Sequence, residues 1–299
     1  MSVLTGTAAI IVTFNRAAKL TKVLDALDRQ VVRPEVIWVV DNASTDGTGD
    51  LVLARARQMP AIRYLRLPGN LGGAGGFHAG LKAAYAQGAN YFWLSDDDAY
   101  PEPDALRVLQ EEMTGFQARH GWRPAFACSR VEWTDGSLCE MNTPRPAWDW
   151  PRFLCDGSAP VLVESCSFVS VLIPRWAVKE HGLPIADYFI WFDDVEYTSR
   201  LSRSYPGIFC PRSRVVHDIA SNRGVHFGQL RESDLWKYRY GTRNEASFRR
   251  REGGIAGLAG YAFRVHRQMK DADVPWRLRR RIYASILRGA GFRPGIERV

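Results

Sequence analysis

The first 113 residues alternate between two hydrophobic periods. Short apolar runs rich in β-branched and aromatic residues, "AAIIVTF" from Ala8, "EVIWVV" from Glu35, "AIRYLRL" from Ala61 and "NYFWL" from Asn90, predict four strands. Between and after them, "AAKLTKVLDALDRQ", "TDGTGDLVLARARQM", "GAGGFHAGLKAAYAQG" and "PDALRVLQEEM" carry apolar residues at helical spacing, the last with Pro103 and Asp104 in its first turn. Such alternation predicts an α/β fold, a mostly parallel sheet with helices on both faces. Downstream, "VEWTDGSLCEM" predicts a hairpin through Asp135-Gly136, and residues 142–160, rich in Pro and Trp, predict a loop. "VLVESCSFVSVLIP" predicts a return to the sheet, "DVEYTSRLSRS" a short helix, and "SRVVHD" the end of a late strand. The final 70 or so residues read as helical and separate from the sheet, which divides the chain into residues 1–228 and a helical region, 229–299. No internal repeat is visible.

In an open parallel sheet, ligands bind beyond the carboxyl ends of the strands. Here the first strand ends at Thr13-Phe14-Asn15-Arg16, the second at Asp41-Asn42, the third before Gly69-Asn70 and the fourth at Asp96-Asp97-Asp98. One edge of the sheet thus collects nearly every unusual polar residue of this half. The aspartate triplet, with nothing basic beside it in sequence, needs relief from self-repulsion. A divalent cation such as Mg²⁺ or Mn²⁺ supplies it and can hold a diphosphate; a solvated turn ahead of the next helix is the plain alternative. "NLGGAGGFHAG" suits either close phosphate approach or tight helix–sheet packing. It follows the third strand with the wrong spacing for a dinucleotide fingerprint, and His78 within it reads as a helix-surface or packing residue. In "FIWFDDVEYTSRL", Asp193, Asp194 and Glu196 open a helix behind aromatic residues. Some of that acidity caps the helix, but a carboxylate desolvated beside rings also suits a general base, and Trp191 can stack on a sugar. His217, at a strand end, is a candidate metal ligand, with His226 a weaker competitor.

Composition narrows the setting. Of 299 residues, 46% are hydrophobic, as in an ordinary globular protein, and no apolar run approaches the roughly 20 residues of a spanning helix. Five cysteines without CxxC spacing suggest neither a zinc site nor a disulfide framework and point to a reducing compartment. The amino terminus shows no basic stretch ahead of its apolar one, so no signal peptide is expected. The net charge of +8 is uneven: from Gln229 onward there are 17 Lys/Arg and 7 Asp/Glu, leaving the remainder near neutral. A basic tail asks for an anionic partner. "WRLRRRIYASILRGAGF" spaces Leu278, Ile282 and Ile286 among arginines, as in a helix on a membrane surface or one packed on its own domain.

Taken together, "IIVTFNR", "VVDNASTDGT", "NLGGAGGF", "WLSDDD", "SCSFVSVLIPR", "FIWFDDVEY", "VVHD" and "YRYGTRNE" resemble the family 2 glycosyltransferases, over roughly residues 8–245. The glycine stretch with the triple aspartate is similar to bacterial galactofuranosyltransferases using UDP-galactofuranose, and rhamnosyltransferases using dTDP-rhamnose share much of it. The resemblance implies the GT-A fold and inverting, metal-dependent sugar transfer from a nucleotide-sugar donor to a cell-envelope or O-antigen glycan, lipid-linked in many such enzymes. It implies that Thr13, Asn15, Arg16 and Asp41 line a uridine pocket, and that Asn70, Gly72 and Gly73 border nucleotide and sugar. Asp97 would face the donor, Asp96 and Asp98 match the DxD acids, and His217 matches the metal-binding histidine, for Mn²⁺ or Mg²⁺. Asp194 matches the base, with Asp193 and Glu196 holding base or acceptor, though "FIWFDD" does not separate Asp193 from Asp194. The implied location is cytoplasmic, peripheral on the inner membrane face through the basic helices, and the lack of a large extra domain suits short additions. A nucleotidyltransferase would need a Gly-rich, basic loop after the first strand, and a nucleic-acid-binding protein a recognised module; neither is present.

Overall fold

The computed structural model describes residues 4–151 and 160–299, so part of the expected 142–160 loop lies outside the described residues. The four predicted strands form as β1 (Thr7–Thr13), β2 (Val36–Asp41), β3 (Ile62–Arg66) and β4 (Tyr91–Asp96), in parallel and in the order β3-β2-β1-β4. Their partners are α1 (Ala17–Asp28), α2 (Thr48–Gln58) and α3 (Gly72–Ala86). A short strand β5 (Ala99–Pro101) precedes α4 (Ala105–His120), and β6 (Ala127–Trp133) follows.

Beyond β4 the sheet becomes mixed. β6 turns at Asp135-Gly136, but its return leg is one bridge, Glu132 to Leu138, rather than a full hairpin strand. The short β7 (Arg145–Pro146) lies inside the segment expected to be loop. "VLVESCSFVSVLIP" splits into two strands. β8 (Val161–Ser165) joins the far side of the sheet, and β9 (Val171–Pro174) runs antiparallel between β4 and β6. The long β10 (Gly207–His217), after α5 (Arg175–His181) and α6 (Asp193–Leu201), pairs with β6 in parallel and with β5 in antiparallel fashion.

Strand alternation sends side chains to opposite faces, and β1 shows the consequence. Ile10 and Val12 enter the apolar layer beneath α3, α5 and α6, while Ala9 and Ile11 enter the layer beneath α1, α2 and α4. With both faces covered, the polar strand ends have only the edge left to gather on. The predicted helical region is α7 (Leu235–Asp271), which turns sharply at Gly254 (φ 62°), and α8 (Trp276–Gly291). These helices build their own core, against which Trp191 packs. The apolar face expected for a membrane surface is spent there: Leu278, Ile282 and Ile286 are buried against α7. Among the described residues, no helix is long and apolar enough to cross a membrane.

Candidate active site

The register of the parallel strands brings the polar ends together. Val12 pairs with Asp96 and Thr13 with Asp41, so the loops after β1, β2 and β4 emerge side by side. The triplet then finds the cations its own sequence lacks. Arg16 Nη1 reaches Asp97 Oδ1 at 3.1 Å and Asp98 Oδ2 at 2.6 Å, Lys19 lies 3.5 Å from Asp98, and the Thr13 hydroxyl donates to Asp97 Oδ2 at 2.8 Å. β5 supplies the remaining partner: its pairing sets His217 opposite Ala99, with His217 Nε2 3.2 Å from Asp98 Oδ1. Asn142 Oδ1 sits 2.8 Å from His217 Nδ1 and fixes the ring.

Electrostatics separates the three acids. Burial would raise Asp98, but His217, Arg16 and Lys19 outweigh it and hold it below the usual carboxylate range. Asp96, to which no described residue donates a side-chain hydrogen bond, is pushed up to about 7 by desolvation and by the neighbouring Asp98. Burial likewise raises Asp97, against Arg16. For His217, desolvation alone would lower the pKa, yet its bond to Asp98 carries it up to about 9.

Ligand atoms of Asp96, Asp98 and His217 all lie within 4.8 Å of one another. Two carboxylates and an imidazole form a hard, oxygen-rich set that fits Mg²⁺ or Mn²⁺, and the crowded, donor-poor Asp96 is the kind of group a cation relieves. Asp97 is not in the cluster; it belongs to Thr13 and Arg16. His226 is also outside it, accepting from the Gly228 amide.

The other candidates on this edge are already engaged by protein. Asp41 is fully buried, with Oδ1 accepting from the Ser44 amide and Oδ2 from Tyr64 (2.6 Å) and Arg66 (3.0 Å). Asn15 Oδ1 accepts from the Thr45 amide, and Asn70 Oδ1 from that of Gly72. Gly72 (φ 72°) passes so close to the Phe189 carbonyl that no side chain fits there, whereas Gly73 faces open space. His78, as expected, is a packing residue, bridging Pro184 and Glu297.

The second acidic group opens α6. Asp194 borders a cavity of about 380 Å³ that Trp191, Phe192, Tyr238, Glu245 and Arg264 help to line. Desolvation pushes its carboxyl up to about 6, and burial together with Asp194 raises the adjacent Asp193. Glu140 and Met141 line the same cavity as Asp194, and Asn142 next to them holds His217, which ties the two acidic groups to one locality. Glu196 departs from expectation. It is buried away from the cavity, paired with Arg200 (3.0 Å) and Arg251 (3.3 Å), because a glutamate one turn ahead of an arginine closes a buried ion pair instead.

Sequence reasoning missed several contributors. Asn142 falls in a stretch read only as loop, and the cavity's far wall, Tyr238 through Gln268, comes from the helical region set aside as separate. The one signal for the latter is the motif "YRYGTRNE", to whose residues the resemblance assigns no role.

Comparison with known proteins adds three findings. The profile of glycosyl transferase family 2 matches residues 8–167. Galactofuranosyltransferase GlfT1 of Mycobacterium tuberculosis is 47% identical over 103 residues, 34% of this chain and 32% of that protein. An undecaprenyl-phosphate mannosyltransferase of Micrococcus luteus is 32% identical over 124 residues, 42% and 51% respectively. The matched segment thus spans about a third of the GlfT1 chain. Among solved structures, GalNAc-T7 with UDP, GalNAc and Mn²⁺ superposes with a TM-score of 0.60 at 14% identity, covering 91% of this chain and 55% of that one.

Proposed function

The chain belongs to glycosyl transferase family 2 and has the GT-A fold, and from that premise we propose that it moves galactofuranose from UDP-galactofuranose to a hydroxyl of a cell-envelope glycan, with inversion. The carrying observation is the meeting of two acidic groups from distant parts of the chain. Ligand atoms of Asp96, Asp98 and His217 lie within 4.8 Å of one another, and Asp194 borders a cavity with aromatic walls that Glu140 and Met141, next to the His217 partner Asn142, also line. The donor sugar is inferred from the likeness to the GlfT1 galactofuranosyltransferases.

In this reading Asp96, Asp98 and His217 would hold a divalent cation, which would supply positive charge to offset that of a leaving diphosphate. The chain's own groups do the rest. Arg16 and Thr13 keep Asp97 and Asp98 in place at the donor edge. Asp194, ionised at neutral pH with a pKa of about 6, accepts the acceptor's hydroxyl proton. The acceptor oxygen bonds to the anomeric carbon as the bond from that carbon to the diphosphate breaks, and UDP departs with the electron pair. A single displacement inverts the centre. Trp191 and Tyr238, in edge contact at 5.0 Å, give the acceptor sugar an aromatic surface, and Glu245 and Arg264, paired at 2.7 Å, give it polar partners.

Residues 229–299 are part of this assembly, since they wall the acceptor cavity. Their exposed Arg277, Arg280, Arg281 and Arg288 support a position on an anionic bilayer surface. The test offers the purified protein UDP-galactofuranose, UDP-galactopyranose, UDP-glucose, GDP-mannose and dTDP-rhamnose with Mn²⁺, and reads donor hydrolysis and transfer by mass spectrometry. Galactofuranose turnover ahead of the others is expected; preference for dTDP-rhamnose overturns the donor assignment, and no turnover of any donor overturns the activity.

A further inference from the structure

Three of the four residues that lead into α6 hold a backbone conformation that side chains disfavour. Phe189 (φ 65°), Trp191 (φ 65°) and Phe192 (φ 71°) all have positive φ, and none is glycine or asparagine. Such strain persists only where surrounding structure over-determines it, and it concentrates at functional sites. Here the restraint comes from α7, more than 50 residues downstream.

Asn244 is fully buried, and its single amide nitrogen lies 2.9 Å from the Tyr188 carbonyl, 3.2 Å from that of Ile190 and 2.9 Å from that of Trp191. Its Oδ1 is held in turn by Arg243, with Nε at 3.1 Å and Nη2 at 2.8 Å. The same Arg243 Nη2 donates to the Asp187 carbonyl at 2.6 Å. The Tyr188 carbonyl also accepts from the Ile190 amide at 2.7 Å, and the Asn244 amide is the donor that the three carbonyls share. One residue past Phe192, α6 begins with Asp193 and Asp194.

From this geometry we infer that Asn244, seated by Arg243, is the positioning residue that fixes the Tyr188–Phe192 turn and through it the direction of the Asp194 carboxylate. For its catalytic consequence the inference rests on Asp194 being the base. The mechanical consequence stands independently: without Asn244, the three carbonyls lose their common donor and the turn relaxes. Asn244→Asp is the sharpest probe, being the same size while setting a carboxylate oxygen against the carbonyls. Arg243→Gln is the milder one, loosening Asn244 without removing it.

Both variants and the natural chain are compared by amide hydrogen exchange over residues 187–195, by UDP affinity from calorimetry, and by kcat and KM for transfer with Mn²⁺. Exchange across 187–195 is expected to quicken by about tenfold or more in Asn244→Asp, with the β1–β4 strands unchanged. The kcat should fall by about 10- to 100-fold, as misplacement of a reacting group by about 1 Å does, while UDP affinity and donor KM stay within about twofold. Arg243→Gln should move exchange and kcat the same way by less, and it carries the test if Asn244→Asp fails to fold and bind UDP. Unchanged exchange overturns the fixing of the turn. Faster exchange with unchanged kcat per UDP-binding molecule leaves Asn244 a purely structural residue and overturns the positioning role. If the natural chain turns over no donor, the glycosyl-transfer reading falls, and the exchange arm alone decides the clamp.

Discussion

Asp194 and Glu196 lie two residues apart, within the first turn of the same helix, and face opposite fates. Asp194 borders the cavity with its carboxyl pushed up to about 6, so it is mostly ionised at pH 7 and progressively protonated below 6. A base must be unprotonated to act, so kcat should fall as pH drops through about 6 and level off above about 7, a profile that transfer assays across pH 5 to 8 check directly. Asp194→Asn should abolish transfer while UDP binding, measured by calorimetry, is spared; surviving transfer would move the base to Asp193. Glu196 is expected to matter to stability instead. Its replacement by alanine strips Arg200, almost fully buried, of its counter-charge, at a cost of about 3–5 kcal/mol in denaturant unfolding, while the folded fraction still binds UDP. From sequence the three acids of "DDVE" are equivalent; only the arginines that reach Glu196, one of them on α7, separate them.

At the scale of elements, α3 shows how a glycine-rich stretch divides its labour. A Cβ at Gly80 would lie 2.6 Å from Ile10 Cγ2 and 2.7 Å from Val40 Cγ2, and one at Gly76 would lie 2.4 Å from Val12 Cγ1. These glycines let the helix sit down on β1 and β2. Both neighbours of Gly80 are β-branched and stiff, so overpacking should outweigh the helix propensity gained from alanine. Gly80→Ala is therefore expected to destabilise the protein by about 1–3 kcal/mol, read from the denaturant midpoint; a more stable variant would contradict the close approach. The first four strands and their helices were legible because each is a local pattern bounded by turn residues. β8 and β9 were not: "VLVESCSFVSVLIP" scatters Glu164 and three serines among its apolar residues without a Gly, Pro, Asn or Asp to mark a turn before Pro174, and its division follows from pairing with β10 and β4, partners far away in the chain. The same limit hid Arg16 as the relief of the aspartate triplet, since the pair is separated by more than 80 residues and meets only through β1–β4 pairing.

For the whole molecule, charge and architecture pull together. The basic helical region is no loose appendage: it walls the cavity beside Asp194 and spends the apolar face of α8 on α7. What remains outward on α8 is Arg277, Arg280, Arg281 and Arg288, with Trp276 and Leu287 exposed among them, so attraction to a bilayer should be carried first by charge. In flotation assays the protein is expected on anionic vesicles at low ionic strength and free at about 0.5 M salt, where the screening length falls to a few ångströms; retention at high salt would mean apolar insertion. In the proposed reading one divalent ion, shared by Asp96 of β4 and His217 of β10, would hold one nucleotide diphosphate. Calorimetric titration of UDP with and without Mn²⁺, on the natural chain and on His217→Ala, tests it most directly. Tight one-to-one UDP binding that requires Mn²⁺ and is weakened about 10-fold or more by His217→Ala is expected; UDP binding of equal strength in EDTA, or indifferent to His217, would rule out the shared ion.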